Sequence, residues 1–209
     1  MTKPSSTNPT KASSPVDAGP DEPLPIFLKL AGRKVVLVGA GKIASAKLPA
    51  LLAAGAQVIV IAPEVHPDVE RASVAIERRP FAPSDLDGAW LVIAAATAQV
   101  NKRVAEAAEA RRIFVNAVDE PESASAYAGG VVRRGGVTVA ISTAGQAPAL
   151  AGLLREALEG VLPQELERWL EIARRTRADW KRGGVPVAER RPLLLEALNR
   201  AYAREELTP

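Results

Sequence analysis

The hydrophobic pattern changes its period several times along the first part of the chain. Residues 34–38 form a continuous apolar run that ends in Gly39, as is typical of a strand buried on both faces. From residue 42 to residue 54 the apolar positions follow a helical spacing, and Gly55 stands where a left-handed helix cap is expected. A second apolar run covers residues 58–61. The pattern therefore predicts a strand, a helix and a second strand in succession.

The same alternation continues through the middle of the chain. Further strands are predicted at residues 73–76, 90–95 and 113–118, and a helix is predicted at residues 99–110. Trp90 begins one of these strands, so we expect it in the core. Strands that alternate with helices favour parallel strands joined by right-handed crossovers. The predicted fold class is α/β, a Rossmann-type doubly wound parallel sheet with ligands at the carboxyl ends of its strands.

The pattern changes again in the last third of the chain. Residues 131–141 carry a Gly-Gly turn between two short β-rich runs, which predicts a β-hairpin. After Gly145 the composition shifts to helix formers, and we expect three short helices, at residues 150–158, from residue 163 and at residues 193–202. Short helices bury little surface alone, so we expect them to pack on the sheet or on a second copy in a homodimer.

Composition excludes several classes of function. The chain has no cysteine and one histidine, which argues against a disulfide scaffold, thiol catalysis and a metal site built by the protein. The net charge is +3 and the eight aromatic residues are scattered, so we expect no nucleic-acid partner. No apolar stretch approaches 18 residues, and the first residues lack the apolar run of a signal peptide. We expect no membrane segment and a cytoplasmic location.

A glycine-rich turn lies between the first predicted strand and the first predicted helix. Gly39, Gly41 and Ala44 occupy the positions of a GxGxxA dinucleotide-binding fingerprint. Gly39 permits the tight turn, Gly41 lets the backbone approach a pyrophosphate, and Ala44 allows close packing of helix on strand. A phosphate-binding P-loop does not fit, because Val36 and Ile43 stand where it needs Gly and Ser or Thr. The pattern favours nucleotide binding over a plain turn.

The residues after the second strand bear on the identity of the nucleotide. A ribose-binding acid is expected about 20 residues beyond the fingerprint. Glu64 lies slightly later than that, and no arginine accompanies it, which favours NAD over NADP. Pro63 stands directly before this carboxylate and leaves the ribose contact open.

Polar residues follow the strand predicted at residues 113–118. Asp119 should project at the carboxyl edge of the sheet, facing the nicotinamide end of a bound cofactor, and it is the best candidate for an acid–base residue. A structural turn is the alternative for this stretch. We take Asn116 as a candidate for contact with the substrate.

A polar loop precedes the first helix of the last third. Ser142, Thr143 and Gln146 in this loop are candidates for holding a carboxylated ligand at the helix amino terminus. Residues that only cap the helix would show the same pattern, so both interpretations stay open.

Several motifs, taken together in their order and spacing, resemble one family. They are Leu24-Pro25-Ile26-Phe27, Val-Gly-Ala-Gly at 38–41, Val60-Ile61-Ala62-Pro63, Val115-Asn116-Ala117-Val118-Asp119, Val139 to Gly145, and Pro148-Ala149-Leu150-Ala151. The family is that of precorrin-2 dehydrogenase, which includes the amino-terminal module of siroheme synthases, and the likeness covers about residues 24–205. It implies NAD-dependent oxidation of a tetrapyrrole, precorrin-2, to sirohydrochlorin in siroheme biosynthesis, by a homodimer.

The resemblance also implies roles for individual residues. Lys42, Ile43, Pro63 and Glu64 match the positions that contact NAD, and Asp119 matches the aspartate assigned to catalysis. Two alternatives remain: a bifunctional enzyme that is also a sirohydrochlorin ferrochelatase, and a non-enzymatic NAD-sensing binding module.

The chain departs from the family pattern at positions that bear on the cleft. Ala126 and Gly129 replace a Phe and a Pro that are common in relatives, and Ala98 stands where an acid is common. None of these changes touches the fingerprint or Asp119.

These features divide the chain into three segments. Residues 1–23 hold 5 of the 17 prolines and almost nothing large and apolar, so we expect a disordered tail. Residues 24–145 are predicted to form the NAD-binding Rossmann domain with its hairpin. Residues 146–209 are predicted to form a helical dimerisation and substrate-cleft segment.

Overall fold

The structure is a computed structural model that describes residues 22–205. Nearly all of the tail predicted at residues 1–23 lies outside the described residues. A parallel sheet is built from β1 (Lys34–Val38), β2 (Gln57–Ile61), β3 (Ala75–Glu77), β4 (Leu91–Ala94) and β5 (Phe114–Ala117). The five strands lie in the order β3-β2-β1-β4-β5, so the strand order reverses between β1 and β4. This arrangement confirms the predicted Rossmann-type fold class.

Helices cover both faces of the sheet. They are α1 (Lys42–Ala53), α2 (Pro67–Glu70) and α3 (Ala98–Glu109), with two short 3₁₀ turns at Pro83–Leu86 and Pro121–Ser123. Side chains of a strand alternate between the two faces, so β1 contributes to two cores. Its Leu37 packs in one cluster with Leu48 of α1, and its Val36 packs in the other with Val104 of α3. The sheet is therefore doubly wound.

The predicted hairpin follows the sheet. β6 (Gly130–Arg134) pairs antiparallel with β7 (Val137–Ile141), and the turn is made by Gly135 and Gly136, both at positive φ. A Cβ built on Gly135 would lie 2.2 Å from the backbone nitrogen of Glu167. The tip of the hairpin therefore packs directly against the backbone at Glu167, in the helical segment that follows the hairpin.

The last segment is more helical than the sequence pattern predicts. Its helices are α4 (Pro148–Val161), α5 (Leu166–Gly183) and α6 (Val187–Glu205). The expectation of short helices was wrong. The helices continue beyond their apolar stripes, because the additional helical turns are built from charged residues with high helix propensity. One example is the ion pair between Arg175 and Glu171, four residues apart on α5. α5 is followed by its C-cap residue, Gly184, which has the left-handed conformation.

The expectation that Trp90 is a core residue was also wrong. β4 begins at Leu91, and Trp90 lies just before it with 55% of its surface exposed. The guanidinium of Arg33 lies 3.6 Å from the centre of the indole ring, as in a cation–π contact. Within residues 22–205, no helix is long and apolar enough to cross a membrane.

Candidate functional site

A cavity of about 520 Å³ opens at the carboxyl ends of β1, β2 and β4, and we call it the fingerprint cavity. Gly39, Gly41, Pro63 and Glu64, all predicted from the sequence, lie in its wall. Gly39 has φ +98°, and a Cβ on it would lie 2.3 Å from the carbonyl oxygen of Ala95. Only glycine therefore allows the end of β1 to approach the segment after β4 so closely.

The amino terminus of α1 forms part of this region. Gly41 is the N-cap residue, and no side chain caps the helix, so the amides of its first turn are left for another acceptor. A Cβ on Gly41 would have no atom within 4 Å. Open space beside uncapped amides at the start of a 12-residue helix suits a pyrophosphate. The residues present thus fit a dinucleotide.

The other predicted cofactor residues divide into two groups by exposure. Lys42 and Ile43 are exposed at the start of α1, and Ile43 has half of its surface accessible. Ala44 is fully buried in the core, as expected for close packing of helix on strand. Phe81 and Arg103 also line the fingerprint cavity, although no sequence pattern pointed to them.

An arginine–aspartate pair holds the segment that carries Phe81. Arg79 donates two hydrogen bonds to the Asp85 carboxylate, at 2.6 and 2.9 Å, and the backbone amide of Ala82 donates a third at 2.8 Å. The hydrogen bonds and charge of Arg79 hold the pKa of Asp85 below its ordinary value, although burial opposes this. The pairing in turn raises the pKa of Arg79. The ion pair fixes the turn on which this cavity wall depends.

A second cavity, of about 330 Å³, lies between the end of β5, the hairpin and the start of α4. We call it the Asp119 cleft. Asn116, Asp119, Ser142 and Thr143, all predicted from the sequence, line this cleft. Gln146 does not line it: this residue is exposed, and its backbone amide donates a hydrogen bond to the Thr143 carbonyl at 2.9 Å.

Two polar groups in the cleft are left without partners. Asp119 has φ +60°, and its carboxylate makes no hydrogen bond or ion pair with residues 22–201. Asn116 is only 8% exposed, and its Nδ2 donates to the carbonyl oxygen of Ala126 at 2.9 Å. This bond fixes the amide, yet its Oδ1 is buried with no donor among the described residues. A buried acceptor held in this way is available to a ligand.

The two hydroxyls of the polar loop make capping contacts. Ser142 Oγ accepts a hydrogen bond from the amide of Ala144 at 3.1 Å, and Thr143 Oγ1 accepts one from the amide of Ala147 at 3.2 Å. The local structural role considered for this loop is therefore present. Binding of a carboxylated ligand by the same hydroxyls stays a prediction.

A buried asparagine connects the two cavities. Asn101 is 2% exposed, accepts a hydrogen bond from the amide of Ala96 at 3.0 Å, and donates one to Oε1 of Glu120 at 3.1 Å. Ala96 lines the fingerprint cavity and Glu120 lines the Asp119 cleft. The ends of β4 and β5 are thus linked where the two cavities adjoin.

Two cationic side chains in the Asp119 cleft were missed by the sequence analysis. Arg155 of α4 forms ion pairs with Glu156 and Glu159. Lys47 of α1 is half-buried and has no ion pair or hydrogen bond within the described part of the chain. One signal could have found it, since Lys47 is the single charged residue of α1 after its first position.

Comparisons with known proteins agree with this geometry. Residues 134–160 match the family model described as sirohaem biosynthesis protein central. Siroheme synthase 3 of Aeromonas hydrophila subsp. hydrophila is 43% identical over 173 residues, which cover 80% of this chain and 37% of that protein. Siroheme synthase of Salmonella typhi is 42% identical over 173 residues, with 80% and 38% covered. The chain thus spans less than two fifths of the length of these curated relatives.

A solved structure is similar to this chain over most of its length. SirC, precorrin-2 dehydrogenase, superposes with a TM-score of 0.65 at 25% identity, covering 83% of this chain and 88% of SirC. The resemblance predicted from the sequence motifs is confirmed by these similarities.

The largest match to a family model also bears on the cofactor. The model described as putative NAD(P)-binding matches residues 26–130, which are half of the 209 residues and include every element around the fingerprint cavity. This match supports the predicted use of NAD. The chain therefore belongs to the putative NAD(P)-binding family.

Proposed function

We propose that the chain catalyses the NAD-dependent oxidation of precorrin-2 to sirohydrochlorin in siroheme biosynthesis. The observation that carries the proposal is the free carboxylate of Asp119 in its cleft. The hydrogen bonds of Asn101 link a residue of this cleft to a residue of the fingerprint cavity. The likeness to siroheme synthases and to SirC, precorrin-2 dehydrogenase, supports this substrate.

The reaction removes two hydrogen atoms from the macrocycle, one as a hydride and one as a proton. Bound NAD⁺ supplies the hydride acceptor, and NADH is formed. Asp119 is the group proposed to take the proton, because its carboxylate is not engaged by any other described side chain. Electrons and protons then balance without a further oxidant.

The predicted binding residues divide between the two cavities. The amides that follow Gly41 are proposed to hold the pyrophosphate, and Glu64 to accept a hydrogen bond from a ribose hydroxyl. Asn116 Oδ1 is proposed to accept a hydrogen bond from an N–H group of the macrocycle, since it is a buried acceptor without a donor. Ser142 and Thr143 keep free lone pairs and protons for a carboxylate arm.

The proposed enzyme is a homodimer in the cytoplasm. α4 lines the cleft with one side, through Ala151 and Arg155, and exposes an apolar stripe on another. A cleft of about 330 Å³ is small for a tetrapyrrole with eight carboxylate arms, so a second copy seated on α4 would complete the site.

The direct test is an assay of NADH formation with purified precorrin-2 and NAD⁺, followed by absorbance. We expect catalytic turnover with NAD⁺ and much less with NADP⁺. Parallel reactions with and without ferrous iron separate dehydrogenation from metal insertion. No rise in absorbance at catalytic amounts of the protein would exclude the proposed activity and leave NAD binding to be explained by a non-enzymatic module.

A further inference from the structure

One cation in the Asp119 cleft has no structural role in the described chain. Lys47 lies on α1, flanked by Leu48, which is 2% exposed, and three residues after Ala44, which is fully buried. These core contacts fix the helix, so the lysine stem starts from a defined point in the cleft wall. The residue is half-buried, yet no carboxylate or carbonyl within residues 22–201 receives the protons of its ammonium group.

Lys47 lines the cleft, and none of the described side chains neutralises its charge. Such an arrangement favours an anionic group from a ligand. The other cation of the cleft, Arg155, already pairs with two glutamates. The second unpaired charge is the carboxylate of Asp119, which does not lie within ion-pair distance of Lys47. The cleft thus presents one free cation and one free anion at separate points.

We propose that Lys47 is the anchor for one carboxylate arm of a polycarboxylated tetrapyrrole, and that it sets the orientation of the macrocycle relative to Asp119. This inference rests on the proposed function for the class of ligand. An ion pair at the rim of the ring would orient the ring within the cleft that Asp119 and Asn116 also line. Lys47 is therefore a positioning residue and takes no part in proton transfer.

Binding of stable porphyrins tests the anchor without any turnover. Uroporphyrin III carries eight carboxylates and coproporphyrin III carries four, and the fluorescence of both reports binding. We expect the wild-type protein to bind uroporphyrin III more tightly. Lys47→Ala should weaken uroporphyrin III binding about tenfold or more, as expected for loss of a charge-assisted hydrogen bond. The loss should shrink at high salt, because ions screen the interaction in the open cleft.

Two further variants make the result specific. Lys47→Arg keeps the charge and should restore most of the affinity. Lys102→Ala removes an exposed lysine of α3 that lines neither cavity, and should leave binding unchanged. NADH affinity and the melting temperature, measured for every variant, show that the fold and the fingerprint cavity are intact.

The outcomes separate this proposal from the proposed reaction. Equal uroporphyrin III affinity in wild type and Lys47→Ala, or no porphyrin binding by the wild type, would overturn the anchor. Weakened binding in Lys47→Ala together with no oxidation of precorrin-2 by the wild type would support the anchor and refute the dehydrogenase. In the enzyme assay, the anchor predicts a rise in KM that exceeds the fall in kcat.

Discussion

Asp119 combines a free carboxylate with an unusual backbone. Few residues other than glycine adopt positive φ, and aspartate and asparagine are the most tolerant of them. At φ +60° the chain turns out of β5 and into the 3₁₀ turn at Pro121–Ser123. The same turn places the side chain in the cleft wall. The local conformation therefore favours a few residue types at this position, and aspartate is one of those that can take up a proton.

Asp119→Asn separates the chemical role from the structural one. Asparagine tolerates the same φ and has nearly the same shape, so the melting temperature and the NAD affinity should stay close to wild type. Loss of the proton acceptor should lower kcat with precorrin-2 by about 10²- to 10⁴-fold. Steady-state kinetics with NADH titration checks both. If turnover and NAD affinity fall together, Asp119 has a structural role in the turn, and another group accepts the proton.

Residues at strand ends were the predictable part of the site. Asn116 and Asp119 were found because the carboxyl end of a parallel strand is a defined place in this fold class. Lys47 and Arg103 were missed, since they reach the cavities from helix faces that only the packed structure brings there. Gln146 does not line the cleft in this structure, and its contact with the substrate stays a prediction.

At the scale of elements, the turn between β1 and α1 contains two glycines with different roles. Gly39 is required by packing, because a Cβ there would collide with the backbone at Ala95. Gly41 has φ −80°, which any residue adopts, and the space beside it is open. We propose that its lack of a side chain serves a ligand and not the fold.

Substitution of alanine at Gly39 should mainly lower stability, whereas substitution at Gly41 should mainly weaken NAD binding. Gly39→Ala forces β1 away from the segment after β4 and should cost about 2 kcal/mol or more in unfolding free energy. Gly41→Ala should change stability by less than about 1 kcal/mol, yet weaken NAD binding at least tenfold by blocking approach of the pyrophosphate. Chemical denaturation and NADH titration measure the two effects. Unchanged NAD affinity in Gly41→Ala would contradict the assignment of the fingerprint.

The accuracy of the sequence pattern also differs from element to element. β1 begins and ends as predicted, because a strand buried on both faces gives an uninterrupted apolar run. β3 is a short edge strand with exposed residues, and it begins two positions later than predicted. The helices α4, α5 and α6 were underestimated because their polar turns carry no periodic signal. The period of the apolar residues thus locates the buried faces of helices and strands, but it does not reveal helical turns that are polar and exposed.

At the scale of the whole molecule, α4 exposes an apolar stripe to solvent. Its residues Leu150, Leu153, Leu154 and Val161 expose between 43% and 78% of their surface. They stand at helical spacing on one side of α4, next to the residues that line the Asp119 cleft. An apolar stripe of this kind beside an open site marks an interaction surface. We propose that a second copy of the chain is this partner, which would bury the stripe and enclose the cleft at once.

Replacing the stripe by charge tests this assembly. The double variant Leu153→Asp, Leu154→Asp should convert a dimer into a monomer in size-exclusion chromatography with light scattering, because two carboxylates facing their copies would lose water and repel. Leu52→Asp, at an exposed leucine near the end of α1, should stay dimeric. The fingerprint cavity is formed within one chain, so the monomeric variant should bind NADH normally while precorrin-2 oxidation is lost. A wild-type monomer at micromolar concentration that turns over precorrin-2 would show that one copy builds the complete site.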